Sequence, residues 1–316
     1  MSRVVVHRAG WFVWLAVLIC LRPAAGLAAD PGGPELRDCR YPDQMPTGSA
    51  ATSEHRGLQR FPADDLFRPL LADPKQPQFV ISRQRVNPDS GDDFVGGWVV
   101  YGETFGIYRY LTGRPCQGVQ VDIQGAVFAQ FNVSAPSSDL VNADYVVGFP
   151  FTFRVDGFSG RLRVYHQSSH LGDEFLLGSP GITRLNLSFE EVEALLSYDW
   201  RRLRVYGGAG RLIHFEPDLA VWRMQYGAEA RMRLADTPIL SAVPSFDFLV
   251  MGVDFKQFQE HGYDRDLSLK VGFELTSGLS LRRFRLLFDF YNGFNPFGQF
   301  YDHRIRAAGV EVNFGF

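Results

Sequence analysis

Over most of the chain, apolar and polar residues alternate in segments separated by clusters of Gly, Pro, Asp and Ser. Successive side chains of a strand point to opposite faces, so this period of two predicts β-strands. One segment places Val119, Val121 and Ile123 on one face and Gln120 and Asp122 on the other. The pattern predicts twelve strands: Gln78–Val86, Phe94–Leu111, Gly118–Val133, Tyr145–Val155, Gly160–His170, Arg184–Tyr198, Leu203–Phe215, Met224–Leu234, Phe246–Phe258, Leu267–Thr276, Arg283–Tyr291 and Ile305–Phe316.

Strand length and charge both indicate a membrane barrel. Most of the predicted strands reach the roughly 9–11 residues that cross a bilayer at a tilt, whereas strands of soluble proteins average about 5–6 residues. Their polar face carries many charges, which would be costly in a dry core but are expected in the polar lumen of a membrane barrel. We therefore predict an all-β fold, a 12-stranded antiparallel transmembrane β-barrel, with a soluble β-protein as the alternative.

The connections alternate in length. With the N-terminus assigned to the periplasm, Asp156–Ser159 and Asp199–Arg202 become short periplasmic turns, and Leu171–Thr183 and Asn292–Arg304 become long outer loops. Short turns inside and long loops outside are typical of outer-membrane barrels. The connection Ala235–Ser245 is the exception. An even number of strands returns the C-terminus to the periplasm.

The N-terminus has the order of a secretory signal peptide: basic residues, the apolar run Trp11–Leu21, then small residues. We predict a signal peptide over residues 1–28, a short N-terminal periplasmic arm over 29–77 and the barrel over 78–316. A disordered leader is the equal alternative for the arm, which is rich in Pro, Asp and Gly. These features indicate the outer membrane of a Gram-negative cell, with both termini periplasmic.

Net charge, the number of cysteines and the last residues of the chain each indicate something about binding partners and environment. The net charge of −3 provides no electrostatic basis for binding nucleic acid. After signal removal two cysteines remain, Cys39 and Cys116, which would form a disulfide in an oxidising periplasm or stay as free thiols. The last ten residues, Ala307–Phe316, end in an aromatic residue and resemble the C-terminal strand by which the barrel-assembly machinery recognises its substrates.

The predicted strand Gly160–His170 carries a polar pair on its apolar face. Leu162, Val164, His166 and Ser168 share one parity, so the lipid-facing side of this strand ends in a His-x-Ser pair. A polar pair on such a wall is unfavourable unless it lies near the interface or serves a function. The alternative is a hydrogen-bonded pair at a soluble core or rim.

This pair resembles the catalytic residues of the outer-membrane phospholipase A family, twelve-stranded barrels with a His-x-Ser on the lipid-facing wall. The lipid A deacylase barrels also carry one. The resemblance implies hydrolysis of an acyl ester of outer-membrane lipid, phospholipid or lipopolysaccharide, with Ser168 as nucleophile and His166 as general base. In those families Asn follows the serine, whereas Ser169 stands here. A homodimer is left open.

The third catalytic residue depends on the register between predicted strands five and six. Pairing Arg163 with Glu191 across the luminal face places His166 diagonal to Glu190, whereas pairing it with Glu193 places Glu190 directly beside His166. Both registers join opposite charges, so both stay open.

Two side chains of outward parity are candidates for that third role, Asn186 and Glu190. The phospholipase family uses Asn and the deacylase family uses Glu, so the resemblance favours neither. Asp173 and Glu174 in the following loop are candidate oxygen ligands for Ca²⁺, as the phospholipase resemblance implies. Two solvated acids are the ordinary alternative, and no other cofactor is predicted.

Two longer stretches, Phe61–Phe79 (FPADDLFRPLLADPKQPQF) and Tyr291–Ile305 (YNGFNPFGQFYDHRI), resemble a bacterial outer-membrane family of unknown function. This resemblance implies no activity. Two other functions therefore stay open beside the hydrolase: a non-catalytic structural or interaction barrel, and a narrow small-solute channel. Opposed luminal charges favour a cross-linked interior over an open channel.

Overall fold

The computed structural model describes residues 56–114, 116–179, 181–236, 246–276 and 282–315. A short strand, β1 (Gly57–Arg60), precedes twelve long ones. These are β2 (Phe79–Pro88), β3 (Phe94–Leu111), β4 (Gly118–Asn132), β5 (Asp139–Val155), β6 (Phe158–Leu171), β7 (Leu187–Trp200), β8 (Leu203–Glu216), β9 (Trp222–Arg233), β10 (Phe248–Phe258), β11 (Arg265–Thr276), β12 (Arg283–Phe294) and β13 (Arg304–Gly315).

Each long strand pairs antiparallel with its neighbours in the chain, and β13 pairs with β2 to close the barrel. The predicted 12-stranded antiparallel barrel is therefore confirmed. Its burial is inverted relative to a soluble protein: in β4 the side chains of Gln120 and Asp122 are buried, while Val119 and Val121 are exposed. The alternation thus directs polar side chains to the lumen and apolar ones to the outer wall.

Two strand starts differ from those predicted by three residues or more. Strand β5 begins at Asp139 rather than Tyr145 because the polar residues before Tyr145 continue its pairing with β4. Among them, Asn142 and Asp144 are fully buried in the lumen. Strand β7 begins at Leu187, after the predicted Arg184.

The described residues before β2 first join the wall and then enter the barrel. Strand β1 pairs with Tyr108–Leu111 of β3. The chain then places Leu66, Phe67 and Leu70 among the most buried side chains of the molecule. Four prolines between Phe61 and Phe79 deprive this segment of the amide donors that a helix needs, and it is irregular. We call residues 61–78 the luminal segment.

Ion pairs join the luminal segment to the barrel. Arg68 lies 3.0 Å from Glu229. Asp73 lies 2.6 Å from Lys256 on β10. Burial opposes ionisation of Asp73, but the Lys256 ammonium and the Lys75 amide hold its pKa below the usual value. The segment thus crosses the lumen with its charges compensated.

The wall has a break where the luminal segment enters. Both β1 and β2 lie along the same edge of β3. The last hydrogen bonds on either side of the break run from the Phe61 amide to the Ile107 carbonyl and from the Gly102 amide to the Gln78 carbonyl. Along this edge, strand pairing joins Phe94–Val100 to β2 and Tyr108–Leu111 to β1. The ring of Pro62 lies so close to Gly106 that a Cβ there would be 2.5 Å from it, which requires glycine.

Within the described parts of the chain, regular helix is limited to α1 (Asp173–Gly178) and to 3₁₀ turns at Leu234–Asp236, Gln259–His261 and Gly298–Phe300. Among the described residues, no helix is long and apolar enough to cross a bilayer. Cys116 is disulfide-bonded. The predicted signal peptide, Cys39 and Phe316 lie outside the described residues.

Candidate functional site

His166 lies on the outer wall of the barrel, in the second half of β6. It shares its face with Leu162 and Val164, whose exposed fractions are 48% and 43%. The His166 side chain is itself 40% exposed. The imidazole is therefore carried on an otherwise apolar surface, as the alternation predicts.

Strand β7 presents Glu190 to His166. The register pairs His166 with Glu190 and Arg163 with Glu193, which is the second of the two registers that the sequence allows. His166 Nδ1 lies 2.8 Å from Glu190 Oε1. Because an ionised carboxylate only accepts hydrogen bonds, Nδ1 donates, and Nε2 of the neutral ring keeps a free lone pair.

The luminal charges explain this register. The two oxygens of Glu193 accept from Arg161 and Arg163, each at 2.8 Å, so a single carboxylate binds both arginines. Glu191 is bound instead by the Tyr165 hydroxyl at 2.6 Å and by Arg223, from another strand, at 2.8 Å. Arg223 lies on β9, so the charge pattern of β6 and β7 alone could not indicate it as a partner of Glu191.

A second histidine reaches the same carboxylate. His214 Nδ1 lies 2.7 Å from Glu190 Oε2. Alternation along β8 would turn His214 toward the lumen, but a β-bulge opposite Glu190 and Glu191 leaves Ile213 as an extra residue. The bulge turns His214 outward, with 78% of its side chain exposed. Sequence alternation therefore missed this residue, since a bulge breaks the parity on which the prediction depends.

Ser168 lies two residues beyond His166 on the same face and directly opposite Ser188 of β7. Both are half-buried. Among the described residues no hydrogen bond joins Ser168 to His166, a contact that catalytic pairs often make only with substrate bound. Asn186 lies just before β7 and is exposed, so the register brings Glu190 to His166 and does not bring Asn186 there.

The candidate calcium ligands do not form a site as placed. Asp173 and Glu174 are exposed in the first turn of α1, where acidic side chains are stabilised by the helix dipole. Calcium takes six to eight oxygen ligands. Among the described residues no group of three or more His, Cys, Asp or Glu side chains is placed to hold a metal. Calcium use stays a prediction.

A luminal cavity of about 140 Å³ is the competing location. His261, Asp266 and Ser268 line it, but both nitrogens of His261, Oδ2 of Asp266 and the Ser268 hydroxyl find no hydrogen-bond partner in the part of the chain that the structure describes. Burial lowers the pKa of His261, which stacks on Phe294 with 3.5 Å between the ring centroids. These three side chains are not joined, whereas His166 and Glu190 are.

The fold is similar to outer membrane phospholipase A from Escherichia coli, with a TM-score of 0.53 and 14% identity over 78% of this chain and 93% of that chain. An active-site mutant of that enzyme gives 0.52 and 13% over the same shares. A Salmonella typhi outer membrane phospholipase dimer with bound calcium gives 0.49 and 13%, over 76% and 91%. At these identities the likeness describes the fold alone.

Sequence comparison with curated proteins gives no match. A family model described as "Protein of unknown function (DUF1207)" matches residues 34–316.

Proposed function

The chain belongs to the family of proteins of unknown function DUF1207, which assigns no activity, and from the geometry of its outer wall we propose that it is an outer-membrane hydrolase of lipid acyl esters. Ser168 is the nucleophile, His166 the general base and Glu190 the carboxylate that orients the imidazole. The substrate is a phospholipid or lipopolysaccharide of the outer leaflet. The fold, which is that of an outer-membrane phospholipase, supports this class of reaction by analogy only.

One observation carries the proposal: the 2.8 Å hydrogen bond from His166 Nδ1 to Glu190 on the outer wall, two residues from Ser168. A carboxylate at Nδ1 selects the tautomer whose Nε2 accepts a proton and stabilises the imidazolium that then forms. His166, Ser168 and Glu190 place polar groups on an apolar wall instead of in the lumen. This costs free energy, so we expect such an arrangement only where the groups serve a function.

In the reaction, Ser168 Oγ attacks the ester carbonyl carbon while His166 Nε2 takes the hydroxyl proton. The tetrahedral intermediate collapses as His166 returns that proton to the leaving alcohol, which departs as the lysolipid. Water then attacks the acyl-serine with His166 again as base, and a fatty acid is released. The Ser188 hydroxyl, opposite Ser168 on β7, is the side-chain donor that we assign to the oxyanion.

The residue after the nucleophile faces the other way. Ser169 is luminal and bonds Asn142 at 3.0 Å and Asp144 at 2.5 Å. Its identity therefore affects the luminal network rather than the outer wall. The replacement of the Asn found in the resembling families leaves Ser168 and His166 in place.

The proposal includes the location. Residues 1–28 are removed as a signal peptide, the assembly machinery recognises the C-terminal strand, and both termini lie in the periplasm. The bilayer then presents lipid directly to the face that carries Ser168. Homodimer formation belongs to the same proposal and is not required for the chemistry described.

The narrow channel is the less favoured alternative because the luminal segment occupies the interior, with Arg68 and Asp73 paired to the wall. An interaction barrel would need neither Ser168 nor His166. These two alternatives and the hydrolase make different predictions for the same variants.

The test is fatty-acid release by purified, refolded protein in mixed micelles of phospholipid or lipopolysaccharide, with and without Ca²⁺. We expect Ser168→Ala and His166→Ala each to lower kcat by at least about a thousandfold. The matched control is His170→Ala, which removes the next histidine of the same face and should retain activity. No release by the wild type, or full activity in Ser168→Ala, would overturn the proposal.

A further inference from the structure

A groove of about 860 Å³ lies on the outer wall beside His166. Strand pairing follows it from His166 to Val147 of β5, then Gly125 of β4, then Glu103 of β3. Three strand spacings of about 4.8 Å give this row a length of roughly 14 Å. The volume is within the roughly 300–1,000 Å³ of small-molecule sites.

The lining of the groove is apolar between polar ends. Along the middle lie the side chains Tyr101, Phe105, Val127, Tyr145 and Val147. The groove begins beside the nucleophile, since Tyr145 is the β5 partner of Ser168. The carboxylate of Glu103, at the other end, accepts from the amide of Thr104 at 2.9 Å.

Gly125 keeps the middle of the groove open. Its exposed face is turned outward, and a Cβ built there would have no atom within 4 Å. Most strand positions on this wall carry a large apolar side chain, so the missing side chain is what creates the depression. The luminal segment bounds the far end with Phe61, Pro62 and Ala63, at the break in the wall.

We propose that this groove binds the acyl chain whose ester is cleaved at Ser168, with Gly125 as the position that admits a long chain. The inference rests on the proposed function for its reaction. A hydrocarbon chain matches a channel that is apolar along its length and has its catalytic pair at one end. The lipid headgroup would then remain at the His166 end.

The first experiment measures chain-length selectivity in Gly125→Leu. The leucine enters open space, so the barrel should fold as before. We expect kcat/KM for a palmitoyl ester to fall by about tenfold or more, with hydrolysis of a hexanoyl ester retained. The matched control is Gly207→Leu on β8, another outward glycine, whose Cβ would make an ordinary 3.5 Å contact with Tyr226 outside the groove. The control should equal wild type on both esters.

The second experiment does not depend on hydrolysis. Full-length Ser168→Ala in detergent micelles is irradiated with a phosphatidylcholine that carries a diazirine in the middle of one acyl chain. We expect adducts concentrated on the peptides around Tyr101–Phe105 and Val127, competed by unlabelled long-chain lipid and lost in Gly125→Leu.

The two experiments separate the two claims. Competed groove adducts without any hydrolysis by the wild type would support the groove and overturn the hydrolase. Hydrolysis that Gly125→Leu reduces equally for both chain lengths, or leaves unchanged, would overturn the groove. Adducts spread evenly around the barrel wall would overturn it as well.

Discussion

The single carboxylate of Glu190 is shared by two imidazoles. Its Oε1 and Oε2 lie 2.8 and 2.7 Å from Nδ1 of His166 and Nδ1 of His214. Only His166 has a serine two residues further along its own face. His214 therefore holds the second oxygen of Glu190, so that the first stays directed at His166.

At the scale of single residues, we predict that Glu190→Gln impairs catalysis more than it impairs substrate binding. The amide can donate to Nδ1, which favours the tautomer that lacks a lone pair at Nε2. We expect kcat to fall by about a hundredfold or more with KM little changed. The measurement is steady-state hydrolysis in mixed micelles, and a kcat equal to wild type would show that the carboxylate does not orient the base.

Ser188 leads to a second residue prediction. If its hydroxyl donates to the oxyanion, Ser188→Ala should lower kcat by about a hundredfold, and Ser188→Thr, which keeps a hydroxyl, should recover part of the loss. The same assay measures both variants. Equal activity of Ser188→Ala and wild type would assign the oxyanion to backbone donors.

The element that organises the site is the bulge of β8. It places Ile213 and His214 side by side on the exterior, and both are exposed. A regular strand would have directed His214 into the lumen, away from Glu190.

Removing the His214 side chain should therefore weaken the hold on Glu190. His214→Ala releases Oε2 of Glu190, and we expect kcat to fall by about tenfold, in the range of an outer partner of an active-site residue. His214→Gln, which can still donate to the carboxylate, should recover activity. Heat-modifiable mobility on gels would verify that His214→Ala still folds, and a folded His214→Ala variant with full activity would contradict this role.

The alternation of apolar and polar residues predicted the strands well, because a period of two can be recognised in one strand without knowing which strands it pairs with. It could not choose between two registers, since Arg163 finds an opposite charge at either Glu191 or Glu193. It missed His214, because a bulge reverses the parity beyond it. The His166 and Ser168 pair was visible on one strand, but the contact with Glu190 required the neighbouring strand.

At the scale of the whole molecule, the main feature is the luminal segment, which crosses the interior of the barrel and is paired to its wall. No periodic pattern marks Asp73 or Lys75, and their partners lie on distant strands: Lys256 of β10 and Asp144 of β5. Sequence alone could not place this segment in the lumen, because its anchors are long-range ion pairs. The polar interior itself was predictable from the charges on the luminal parity.

The segment predicts the electrical behaviour of the barrel. Wild type should show no steady ion conductance in planar bilayers, whereas the double variant Asp73→Ala/Lys75→Ala should show conducting episodes, since the ion pairs of the segment with Lys256 and Asp144 are lost. Hydrolysis should persist in the double variant, because the catalytic face is on the other side of the wall. Steady wild-type conductance that survives Ser168→Ala would favour the channel.

The central claim is that His166 activates Ser168 on the lipid-facing wall, and covalent labelling tests it most directly. Refolded wild-type protein in micelles is treated with a long-chain alkyl fluorophosphonate, which forms a stable ester with an activated serine. We predict one adduct per chain, mapped by peptide mass spectrometry to Ser168, retained in His170→Ala and absent in His166→Ala. No adduct at Ser168 in the wild type, or equal labelling in His166→Ala, would contradict the account.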